Sequence, residues 1–97
     1  MPPLSDASSF GIGQTWLDVT ASRAAGTIYT HSTGRPILVN VNVNTSTSIT
    51  TLTVNGVVAS QHTSGAGNAM SHVAVVPIGG TYVLDAGRTI VKWSELR

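Results

Sequence analysis

The chain has 97 residues, a formal net charge of +1 and only 9% charged residues, which is one domain's worth and too little for two independent cores. Its five cations, Arg23, Arg35, Arg88, Lys92 and Arg97, are scattered, so no phosphate-neutralising cluster exists and nucleic acid is not an expected partner. The lack of cysteine excludes disulfide scaffolds and thiolate chemistry, and the longest apolar run, Val73 to Ile78, is far short of the ~20 residues that span a bilayer.

Residues 1–14 read as an extended lead-in: Pro2-Pro3 favours polyproline geometry, Ser5 to Ser9 has no periodicity, and no secretory signal is expected. Gly11-Ile12-Gly13 resembles part of a phosphate loop, but no third glycine or lysine completes it. From Thr15 onward, roughly a quarter of the whole chain being Ser or Thr and only 5% aromatic, the composition suits pleated strands. Thr15 to Thr20 alternates, with Leu17 and Val19 on one face and Trp16 and Asp18 on the other. Thr27 to His31 is a second strand, and a turn at Ser32 to Pro36 follows. Ile37, Val39, Val41 and Val43 then face a core while Asn40, Asn42 and Asn44 line the opposite side.

Thr45 to Ser48 reads as a polar loop and Ile49 to Val54 as a strand. Asn55-Gly56 is a strong type I′ hairpin signal, and an uninterrupted hairpin sets Val54 opposite Val57, Leu52 opposite Ala59 and Thr50 opposite Gln61, with Ile49, Val58 and His62 on a second, mildly polar face. Thr63 to Asn68 reads as a flexible loop. Met70 to Val76 is apolar on both faces, which predicts a central or doubly covered strand. A turn at Pro77 to Gly80, a strand at Thr81 to Leu84, a turn at Asp85 to Gly87 and a strand at Thr89 to Leu96 complete seven or eight strands. The expected fold is all-β, a small antiparallel β-sandwich of jelly-roll type spanning residues 15–97.

Catalytic signatures are weak. His31, His62 and His72 lack the spacing that aims two imidazoles at one ion, no Gly-x-Ser-x-Gly elbow is present, and no paired carboxylates stand out, so neither an enzyme nor a metal or other cofactor is expected. Trp93 reads as core; Trp16 reads as core or interface packing, although either indole suits stacking on a sugar ring. The low charge and the apolar second faces predict burial against other copies of the chain. Recognition residues collect in loops and strand ends on rigid sandwiches. The candidate ligand-binding residues are therefore Tyr29, His31, His62, Asn68 and Tyr82, with both tyrosines expected as surface platforms.

The opening run Gly11 to Arg23 (GIGQTWLDVTASR), the segment Gly26-Thr27-Ile28-Tyr29-Thr30, Thr33-Gly34-Arg35-Pro36-Ile37, the Thr53 to Val57 hairpin and the closing Trp93-Ser94-Glu95-Leu96-Arg97 resemble the C-terminal tip domain of tailed-bacteriophage and prophage tail-fibre proteins. The resemblance implies a non-catalytic β-sandwich at the end of a fibre shaft, located in the virion and made in the bacterial host cytoplasm. It also implies a homotrimer and recognition of a bacterial surface polysaccharide such as lipopolysaccharide or capsule. A purely structural trimerisation cap or virion decoration module with no ligand is the alternative. Glu95 and Arg97 share a face of the last strand, positioned to pair with Arg23 or Asp18. A histidine near a threefold axis, His62 or His72, predicts a trimer that weakens as pH falls below roughly 6.

Overall fold

In a computed structural model, the structure describes residues 11–45, 49–63, 68–87 and 89–97, without the side chains of Thr45, Asn68 and Ala69. Eight strands follow one another: β1 (Trp16–Asp18), β2 (Tyr29–Thr30), β3 (Ile37–Thr45), β4 (Ile49–Val54), β5 (Val57–Thr63), β6 (Asn68–Val76), β7 (Thr81–Leu84) and β8 (Thr89–Leu96), with one 3-10 turn at Thr20–Ser22. Two four-stranded sheets form, in the orders β1-β8-β3-β6 and β2-β7-β4-β5.

The pairing has a simple rule. β1 pairs β8, β2 pairs β7, β3 pairs β6 and β4 pairs β5, all antiparallel. The chain is thus one long hairpin folded about the β4–β5 turn and rolled into two layers, the strand order of a jelly roll. Asn55 and Gly56 make the turn at its centre with φ of 52° and 78°, the positive values that a type I′ turn requires.

The expected sandwich is present, and the core lies where alternation placed it. Ile37, Val39, Val41 and Val43 of β3 meet Leu52 and Val54 of β4, Tyr82 and Leu84 of β7 and Trp93 of β8, all buried. Four local expectations are corrected. β1 and β2 are shorter than Thr15 to Thr20 and Thr27 to His31: a single backbone bond continues each ladder, Val19 N to Trp93 O and His31 N to Gly80 O, and the 3-10 turn at Thr20–Ser22 then ends the line of β1. Thr45, Thr63 and Asn68 belong to strands, not loops; the rest of the two connections, residues 46–48 and 64–67, lies outside the described residues.

The β4–β5 register also differs. It holds at Val54↔Val57 and Thr53↔Val58 and then shifts, so that Leu52 faces Ser60 and Thr50 faces His62. A bulge at Ala59 is the cause, and it turns Ser60 and His62 toward the β4 core face. Finally, β6 is not central. It forms the edge of its sheet, and its second apolar face, at Val73 and Val75, is about half exposed.

Candidate functional site

Three side-chain clusters account for most of the chemistry-bearing residues. The first surrounds Glu95, wholly buried on β8. Arg23 grips it with two parallel bonds, Nε to Oε2 and Nη2 to Oε1, both 3.0 Å. Tyr82 Oη donates to Oε2 at 2.8 Å and Trp93 Nε1 at 3.0 Å, and Arg97 lies 3.5 Å from Oε1. The Arg23 guanidinium also sits over the Tyr29 ring, 4.7 Å from its centroid. Burial, with the hydrogen bond to Glu95 next, pushes the Tyr82 phenol up to about 12. Of the expected pairings, Glu95 with Arg23 is present, whereas Asp18 pairs with Lys92 and Arg97 lies beside Glu95; Tyr82 is no surface platform, since its hydroxyl is committed to a buried carboxylate.

The second cluster joins the two sheets where β5 and β6 approach. Thr50 Oγ1 lies 2.6 Å from His72 Nε2 and Ser60 Oγ 2.8 Å from His72 Nδ1. His62 donates from Nε2 to the Ser71 carbonyl at 2.7 Å, and the His62 and His72 rings make a tilted contact with centroids 4.7 Å apart. Burial, and then the neighbouring His62, hold the His72 imidazole below its ordinary value. The bulge at Ala59 builds this cluster, since an unshifted β5 would direct Ser60 and His62 away from β4. Thr50 and His72 are fully buried, so the hydroxyl–imidazole pair offers no open nucleophile.

The His72 arrangement carries a pH dependence. A depressed folded-state value means that below about 6.5 the unfolded chain takes up a proton that the folded chain excludes. Stability is complete above that pH and falls as pH drops through it. Urea midpoints measured between pH 7.5 and pH 5 are expected to decline, and His72→Gln is expected to flatten the decline; an unchanged midpoint in the parent protein contradicts this.

The third cluster closes the loop after β2. His31 is buried rather than exposed: Nε2 donates to the Arg35 carbonyl, and Nδ1 faces Thr33 N at 3.4 Å. Pro36 and the Thr33–Arg35 turn thereby place the start of β3. Nearby, Gln14 Nε2 donates to Pro36 O at 2.7 Å and Arg35 Nη1 to Ile12 O, so the glycine pair of the opening run braces a turn.

The candidate residues do not converge on one site: Tyr29 and Tyr82 meet across β2 and β7 with ring centroids 5.8 Å apart, and the others lie apart from them. Tyr29 is half-buried with its hydroxyl accepting from Ala24 N at 2.7 Å, His62 is half-buried beside β6, and Tyr82 and His31 are enclosed. Asn68 opens β6, and its side chain lies outside the described residues.

An accessible arrangement occurs elsewhere, on the outer face of β1-β8-β3-β6. Register places Trp16, Leu96, Leu38 and Val75 in one row, Asp18, Ser94, Asn40 and Val73 in the next, and Lys92, Asn42 and Ser71 in a third. Trp16 is 48% exposed. Beside it Lys92 Nζ bonds Asp18 Oδ2 at 3.0 Å, and Ser71 Oγ bonds Asn42 Oδ1 at 2.8 Å. Asp18 is held down at about 2, chiefly by the Thr20 hydroxyl and amide, with Lys92 adding to this. Core packing of Trp16 is thus corrected. Its alternation with Leu17, on the same face as Asp18, was the sequence signal for an outward indole.

No family model, curated protein or solved structure matches the chain. Among the described residues no group of three or more His, Asp or Glu is placed to hold a metal ion, and no helix is long and apolar enough to cross a membrane.

Proposed function

We propose that the chain is a non-catalytic receptor-binding tip domain of a phage tail fibre, homotrimeric on the fibre shaft in the virion, that recognises bacterial surface polysaccharide through the outer face of the β1-β8-β3-β6 sheet. The observation that carries the reading is the half-exposed Trp16 on a face that also presents Asp18 and Ser94 in one row and Lys92, Asn42 and Ser71 in another. An aromatic ring presents an apolar platform to the C–H face of a sugar, and neighbouring amide, hydroxyl and charged groups match ring hydroxyls.

The segments that resemble fibre tips support the same reading, since they meet in space: β1 pairs with the end of β8, and Arg23 of the opening run holds Glu95 of the closing one. Binding rather than cleavage is favoured because the described carboxylates are engaged. Asp18 bonds Thr20 and Lys92, Asp85 accepts from Thr51 N, and Glu95 is buried under Arg23. None is placed as one of the two free acids that glycoside hydrolysis uses. Individual sugar sites are weak, so adhesion comes from several copies.

Trp16→Ala tests the site. Fluorescently labelled protein is expected to bind cells of a susceptible strain, and the variant, folded by circular dichroism, to lose at least tenfold in cell-bound signal. Equal binding by the two proteins contradicts the Trp16 face. No binding by the parent protein to any strain of a broad panel favours the ligand-free cap instead.

A further inference from the structure

Edge strands expose unpaired N–H and C=O groups, and proteins blunt them by shortness, charge, proline or bulges. Three of the four edges here are blunted. β1 has three residues and β2 two, and β5 carries the bulge at Ala59. β6 differs: it runs nine residues, pairs with β3 throughout without a register shift, and contains no proline, Asp, Glu, Lys or Arg.

The open part of that edge is small and well defined. Ser71 O is taken by His62 Nε2, so the Ser71 carbonyl points away from β3. Backbone groups of every second residue point the same way in an antiparallel strand. The N–H and C=O of Val73 and Val75 therefore face outward too, and they have no backbone partner among the described residues. The side chains of both valines are about half exposed on the outer sheet face, at 51% and 49%.

We infer that β6 pairs with β6 of a second copy of the chain, antiparallel about a two-fold axis at Ala74, joining two four-stranded sheets into one of eight strands. The register follows from the open groups. Only pairing about Ala74 sets Val73 opposite Val75 of the other copy, and Val75 opposite its Val73, so that all the open groups of both residues bond and two β-branched pairs form on the outer face. The contact is self-complementary, as a two-fold interface must be.

It has a consequence for recognition, which rests on the proposed glycan reading. Residues opposite each other in a ladder share a face, so the two copies turn their Trp16 faces to the same side, and two weak sites meet one surface together. A two-fold contact cannot belong to a threefold ring; the copy number distinguishes this inference from the homotrimer.

Light scattering after size exclusion at tens of micromolar, on the parent and on Val73→Lys/Val75→Lys, tests the pairing. These side chains are outside the core, so the variant keeps its fold, with its circular dichroism as the check. The expected result is an even number of 10.0 kDa copies for the parent, and half that number for the variant: six and three where a threefold contact also forms, two and one where it does not. A parent trimer overturns the pairing and leaves the trimeric reading intact. A parent monomer overturns both, and an unchanged mass in the variant overturns the pairing. Amide exchange adds a second readout. Val73 and Val75 N–H are expected to exchange slowly in concentrated protein and fast on dilution; protection independent of concentration means that another part of the same chain covers the edge and overturns the inference.

Discussion

Arg23→Met is expected to destabilise the fold by about 3 to 5 kcal/mol, the cost of leaving a buried charge without its partner. Glu95 is wholly enclosed, and Arg23 supplies both of its parallel guanidinium bonds. The remaining donors among the described residues, Tyr82 Oη and Trp93 Nε1, both reach Oε2, so of these residues Oε1 keeps only Arg97 at 3.5 Å. That asymmetry places the loss toward the upper part of the range. Urea denaturation followed by tryptophan fluorescence reads it directly. The exposed pair of Lys92 and Asp18, more than half open on both sides, is the internal comparison: Lys92→Met is expected to change the midpoint little, because exposed pairs are screened. Equal midpoint shifts for the two variants would contradict the assignment of Arg23 as the partner that the buried carboxylate requires.

The two tryptophans should separate just as sharply. Trp93 is fully buried, edge-on to Tyr29 at 5.9 Å and tilted against Tyr82 at 6.4 Å, and its truncation opens the core and strands the Glu95 carboxylate. Trp93→Ala is expected to cost about 3 to 5 kcal/mol, a large part of the total stability of such a domain, of order 5 to 15 kcal/mol. Trp16→Ala removes a half-exposed ring from a three-residue edge strand, and a change below about 1 kcal/mol is expected for such a surface substitution. Thermal melts of both variants check this. Comparable losses would mean that Trp16 packs into the fold and is not available as a platform.

Much of this was legible in the residues. The valine and asparagine alternation of β3, the Asn55-Gly56 turn and the apolar setting of Trp93 follow from periodicity and turn chemistry alone. The shared face of Glu95 and Arg97 narrows their partners to Arg23 or Asp18, of which Glu95 takes Arg23 while Asp18 takes Lys92. What stayed hidden was set by neighbours distant in sequence. The bulge at Ala59 leaves Thr50, Leu52 and Val54 on the same core face either way, so no pattern in β4 betrays it, yet it decides that Ser60 and His62 meet His72. The two apolar faces of β6 read as a covered strand; whether a strand is central or at an edge is a matter of topology, which a local period does not contain. His31 and Tyr82 looked like surface groups because their partners, the Arg35 carbonyl in a folded turn and Glu95 on β8, become visible only once the strands are rolled together. Trp16 went the other way, since its place on the same strand face as Asp18 is that of an outward side chain.

Recognition of a surface glycan is tested most directly by cell binding of the labelled parent protein before and after mild periodate oxidation of the bacteria, which cleaves vicinal diols of sugars and leaves the cells' proteins largely intact. The expected result is strong binding to untreated cells and loss of most of it after oxidation. Binding of equal strength to oxidised and untreated cells would contradict it.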